Sequence, residues 1–111
     1  MAKIETTLYN TSVGHVDTLV RNAILSGSVS ATLEDESHFS VGGVECETLV
    51  FERYSIIGSN RVSLTVTLVG QGGTVFVSGI ASGGSEALFW KINTWGEQAF
   101  LDQLIEVLRK L

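Results

Sequence analysis

The chain is 111 residues long, with 44% hydrophobic and only 17% charged residues, twelve glycines and no proline. This is enough chain for one domain that buries roughly two-thirds of its unfolded surface in a single core, which excludes an intrinsically disordered polypeptide. Seven basic against twelve acidic side chains give a net charge of −5. That is the wrong sign for neutralising phosphates or an anionic bilayer, so neither nucleic acid nor a membrane is an expected partner.

No apolar stretch approaches the ~18–20 residues needed to span a bilayer. The start, Met1-Ala2-Lys3-Ile4-Glu5, lacks the apolar run of a secretion signal. A single cysteine, Cys46, excludes an internal disulfide, and a cytoplasmic location is expected. The acids are unevenly spread. Glu34, Asp35, Glu36, Glu45, Glu47 and Glu52, half of the total, fall in a stretch from Asn22 that holds no Lys or Arg. A solvated face explains this run most simply, and its charge also permits a basic partner or a divalent cation.

Residues 3–9 alternate, with Ile4, Thr6 and Leu8 against Lys3, Glu5 and Thr7, which predicts a strand. After the capping residues Asn10-Thr11-Ser12, Val13, Val16, Leu19, Val20, Ala23 and Ile24 recur at helical spacing. A helix over 12–26 follows, with Gly27 as a left-handed stop. Val29, Ala31 and Leu33 open a second strand that runs on towards Phe39, and Gly42-Gly43 turns the chain. Residues 44–56 make a third strand and Gly58-Ser59-Asn60 a turn. Residues 61–70 make a fourth, with Val62, Leu64, Val66 and Leu68 on one side. Beyond Gln71-Gly72-Gly73, residues 74–82 read as a fifth strand. Gly83-Gly84-Ser85 reads as a bent turn, and residues 86–92 as a sixth strand. Short turns between consecutive strands imply an antiparallel meander. Thr94-Trp95-Gly96-Glu97 matches a capping box, and Phe100, Leu101, Leu104, Ile105, Leu108 and Leu111 form the apolar stripe of a last helix.

The expected fold is therefore α+β, a single domain over 1–111 in the order strand, helix, five strands, helix. An antiparallel sheet of five or six strands has two helices on one face, in the manner of a helix-grip or TBP-like fold.

The third strand contains a conflict. Val44, Cys46 and Val50 share one side, taken as the core side, whose continuation carries Glu52 and Tyr54. The other side carries Leu49, Phe51 and then Arg53. Strict alternation aims either Glu52 or Arg53 at an apolar layer, where a charge needs a partner or a bulge. The functional alternative is a polar anchor at the mouth of a cleft between the sheet and the last helix. There Glu52, Arg53, Tyr54 and Arg61 would bind a ligand, and an arginine would grip a carboxylate or phosphate with two parallel hydrogen bonds.

Other candidates are weaker. His15, His38, Cys46 and the acids lack metal-ligand spacing, and neither a metal nor a cofactor is expected. Cys46 reads as a small core residue rather than a nucleophile. No Gly-x-Ser-x-Gly elbow occurs, and no constellation supports an enzyme. The hydroxyl ladder Ser63, Thr65 and Thr67 suits a wet face or a contact with another sheet. Trp90 and Trp95 suit the core better than an interface.

Phe51-Glu52-Arg53-Tyr54-Ser55 with Gly58-Ser59-Asn60-Arg61-Val62-Ser63-Leu64 form one set of motifs. Ser82-Gly83-Gly84-Ser85 with Lys91-Ile92-Asn93-Thr94 and Gly96-Glu97 form another. Together they resemble a small family of uncharacterised bacterial proteins from Firmicutes-type genomes, over nearly the whole chain. The resemblance implies a single-domain cytoplasmic bacterial protein with no assigned activity, and it carries over no catalytic residue. Two functions are expected from the residues. One is a non-catalytic module binding a small apolar or amphipathic ligand. The other is an interaction protein acting as a homodimer through the sheet face or an edge strand.

Overall fold

The computed structural model describes the backbone of residues 1–54, 61–83 and 90–111, and the side chains of all of these except 90–96. The elements run β1 (Ala2–Tyr9), α1 (Val13–Ser26), β2 (Thr32–Val41), β3 (Val44–Tyr54), β4 (Arg61–Gln71), β5 (Thr74–Gly83) and α2 (Trp90–Leu108). The strands form one antiparallel sheet in the order β1-β5-β4-β3-β2, so β4 is central and β1 and β2 are edges. This is the expected α+β fold, with five strands among the described residues.

Two tight turns set the register. Gly42 and Gly43 have φ of +56° and +81°, and Gly72 and Gly73 have +57° and +83°. Positive φ at both central positions gives the turn whose twist matches a two-residue hairpin, and only glycine adopts it without strain. Register then decides which side chains are buried. Leu49 lies opposite Val66, Phe51 opposite Leu64, and Val66 opposite Gly79. These residues face the helices.

Both helices cover that one face. Ser12 caps α1, its hydroxyl accepting from the His15 N–H at 3.1 Å, and Val13, Val16, Val20 and Ile24 point into the core. From α2, Phe100, Leu101 and Leu104 are buried, each contributing about 1.5–3 kcal/mol by removal from water. Close approach needs small residues beneath. A Cβ on Gly79 would stand 2.3 Å from Leu104 Cδ2, and one on Gly70 would stand 2.5 Å from Val13 Cγ2. Neither helix is long and apolar enough to cross a membrane.

Four expectations are corrected. The core side of β3 is Glu47, Leu49, Phe51 and Arg53, whereas Val44, Cys46 and Val50 lie on the outer face. Two alternating sets were available, and pairing with the buried row of β4 selects the first. The second strand begins at Thr32, not Val29, which is fully exposed. Residues 90–92 open a helix rather than close a sixth strand, so Thr94 lies inside α2 and not at its N-terminal boundary. Gly27 has φ of −79° and ends α1 without left-handed geometry. It accepts a hydrogen bond at its carbonyl from Gln103 Nε2 at 3.1 Å. The turn at Gly58-Ser59-Asn60, the Gly84-Ser85 break and residues 86–89 lie outside the described residues.

Candidate functional site

The alternation that buries Leu49 and Phe51 continues one step further and turns Arg53 towards the helices, opposite Val62. Its guanidinium carbon lies 4.6 Å from the centre of the Phe100 ring on α2, within range of a cation–π contact. Its Nε is buried and meets no acceptor among the described residues. No ion pair among the described residues includes it. Burial holds its pKa below the ordinary arginine value, because removal from water disfavours the charged form.

A carboxylate does occur at this end of the sheet, but it is engaged elsewhere. Glu97 is buried, and its Oε1 accepts from the Gly83 N–H at 2.7 Å. Its Oε2 meets the amino group of Met1. The pairing of Glu97 with a backbone amide replaces the capping role read from the sequence.

The other three expected site residues gather on the opposite face. Arg61 Nη2 lies 2.6 Å from Glu52 Oε1 and 3.6 Å from Glu34 Oε2, and its guanidinium sits 5.4 Å from the Tyr54 ring centre. Slight loss of hydration would lower the pKa of Arg61, but Glu52 and Glu34 outweigh it and raise the value. The structure therefore brings Glu52, Tyr54 and Arg61 together as a self-satisfied exposed cluster. It separates them from Arg53, whose side chain lies across the sheet.

Sequence reasoning missed a second charged cluster, between α1 and the edge strand. Arg21 Nε and Nη2 donate to the two oxygens of Asp17 at 3.0 and 3.2 Å. Its Nη1 and Nη2 donate to the two oxygens of Glu36 at 3.0 and 3.2 Å. Glu47 lies 3.6 Å away and is 7% exposed, opposite His38 and Leu68. Burial, together with the neighbouring Asp17 carboxyl, pushes the Glu47 pKa up to about 7. Burial would also raise Asp17, but hydrogen bonds from Arg21 and from Glu47 hold it below the ordinary value. The hydrogen bond from Arg21 lowers Glu36. One guanidinium thus faces three carboxyl groups, and Glu47 keeps a proton to near neutrality. The signal was the phase of β3, since any register that buries Leu49 and Phe51 also buries Glu47.

The two clusters differ in chemistry. The Arg21 group is closed on itself and ties β2 to α1. Arg53 instead packs against the Phe100 ring with no acceptor for its Nε among the described residues. No curated relative matches the sequence. The family model that does match spans residues 1–111, and the chain belongs to that family, DUF6054, described as a family of unknown function.

Proposed function

We propose that the protein is a non-catalytic binding module for a small amphipathic acid, with Arg53, packed on the buried Phe100 ring, holding the carboxylate or phosphate. One observation supports this reading: a half-buried guanidinium, stacked on Phe100, that lacks an anionic partner among the described residues. A buried charge without a counter-charge is costly, and a bound anion removes that cost. Arg53 alone of the four expected site residues meets the ligand in this reading. Glu52, Tyr54 and Arg61 form a polar cluster on the other face.

The test is an NMR titration of the protein with octanoate and, separately, with inorganic phosphate, following the Arg53 Nε–H signal. Octanoate is expected to shift that signal, and Arg53→Gln is expected to weaken binding at least about tenfold. If neither anion moves the Arg53 resonance, the reading fails. Native mass spectrometry of protein purified from its own host then identifies the retained acid by its mass.

A further inference from the structure

The outer face of the sheet, turned away from both helices, carries an ordered pattern. One cross-strand row reads Phe39, Cys46, Val69, Phe76 and Thr7 from β2 to β1. The next reads Ser37, Thr48, Thr67, Ser78 and Glu5, and the third Asp35, Val50, Thr65, Ile80 and Lys3. Phe39 is 60% exposed, Val41 66%, and Phe76 and Ile80 more than a third. These exposed apolar side chains lie on both sides of the hydroxyl row, and large apolar groups left in water on one face mark a contact site.

The charges on this face select the occupant. The third row begins with the anion Asp35, one oxygen of which accepts from the Glu36 N–H, and ends on the other edge strand with the cation Lys3, whose Nζ also lies 3.6 Å from Glu5 Oε1 of its own strand. A second copy turned about a twofold axis parallel to the strands, above central β4, lays each row on the same row of its partner. Lys3 then meets Asp35 of the second copy at both edges, Phe76 meets Cys46, Ile80 meets Val50, and Val69 meets its own equivalent. Glu5 meets Ser37, so no like charges oppose. An axis across the strands, centred on the hydroxyl row, instead places Glu5 against Glu5. From this pattern we infer that the outer sheet face is the interface of a homodimer, with its twofold axis parallel to the strands and Lys3 paired with Asp35 across it. Face-to-face sheets whose strand directions stay within about 30° of each other use this arrangement.

The size of the face agrees. Five strands at about 4.8 Å spacing, each giving some seven residues at about 3.3 Å, cover roughly 550 Å² per copy before side-chain relief is counted. The two copies together exceed the ~1,000 Å² that a specific interface requires. The hydroxyl rows supply hydrogen-bonding groups to the polar part of such a contact. This inference is independent of the ligand reading, because Arg53 lies on the opposite face.

Sedimentation equilibrium tests it. The wild-type chain is expected to dimerise reversibly. Val69→Asp sets two carboxylates against each other on the axis and is expected to give a monomer with unchanged circular dichroism. Lys3 and Asp35 are exposed, so their variants keep the fold. Lys3→Glu and Asp35→Lys are each expected to weaken the dimer about tenfold, and the double variant is expected to restore it. A chain that stays monomeric at 100 µM (roughly the upper range of reversible dimers) overturns the inference, as does a one-to-one complex with a different host protein. A dimer indifferent to Val69→Asp, or a double variant that fails to recover, also overturns it.

Discussion

Arg53 and Phe100 form a stacked pair between the sheet and α2, their guanidinium carbon and ring centre 4.6 Å apart, with Phe100 fully buried beneath the cation. An aromatic ring stabilises a desolvated guanidinium by about 2 kcal/mol, less than the several kcal/mol that burying the charge costs. Arg53→Met keeps the packing volume and removes the charge. It is expected to raise stability by about 1–2 kcal/mol in urea denaturation, at the expense of anion binding. A loss of stability instead would show that the charge is already compensated within the fold. Phe100→Ala, by contrast, is expected to cost about 3–5 kcal/mol.

Glu47 gives the protein a pH-dependent stability. Its folded pKa is about 7, raised from 4.5 by burial and by Asp17, so the folded state binds its proton more tightly than the unfolded chain. That contribution is fully present below pH 4.5 and is lost as pH rises through 7. Glu47→Gln removes the burden of an ionised buried carboxyl. The variant is expected to be more stable than the wild type by roughly 2–3 kcal/mol at pH 8, falling towards zero near pH 4.5. Thermal melts across that range measure the difference. A difference that does not change with pH would place the proton elsewhere.

The sequence made the elements legible where patterns were redundant. In β4, Val62, Leu64, Val66 and Leu68 have no competing apolar set, and the paired glycines at 42–43 and 72–73 mark their turns without ambiguity. β3 was different. Val44, Cys46 and Val50 compete with Leu49 and Phe51, and the choice depends on which neighbour pairs with them, which is a tertiary matter. The same ambiguity hid Glu47 and left Glu52 and Arg53 undecided. Thr94 and Glu97 have the spacing of a capping box, but α2 begins at Trp90, and Glu97 bonds to Gly83 instead. A capping motif defines only a local preference. The Arg21 cluster joins α1 to β2 and β3 through contacts that no local pattern encodes.

Gly79 sets how closely α2 approaches the sheet. A Cβ there would lie 2.3 Å from Leu104 Cδ2 and 3.3 Å from Ile4 Cγ2, and both neighbours are packed. Gly79→Ala is expected to push Leu104 out of place and destabilise the protein by about 1–3 kcal/mol, the usual range for overpacking. Leu104→Ala, in the same background, is expected to recover part of this loss, because the removed methyls vacate the contested volume. Chemical denaturation of the two single variants and the double variant measures the coupling. Strict additivity would remove the Leu104 contact as the cause.

Arg21 is expected to hold the edge strand to the body of the protein. Among the described residues β2 is hydrogen-bonded on one side only, to β3, and nearly all of its residues are exposed, Leu33 being the one packed against the core, so its apolar anchor is smaller than that of the inner strands. What it has is the forked contact from Arg21 to Glu36, while the same guanidinium grips Asp17 on α1. Arg21→Met leaves Asp17, Glu36 and Glu47 facing one another without a cation. Hydrogen exchange at Asp35–Phe39 is expected to accelerate about tenfold or more while β4 stays protected, since weakly anchored edges open locally. The global loss is expected to be about 1–3 kcal/mol. It should be larger at pH 8 than at pH 5, because Glu47 gives up its proton as the pH rises and adds negative charge that Arg21 would otherwise offset. An equal loss at both pH values would show that the arginine acts through its packing against α1 rather than through its charge.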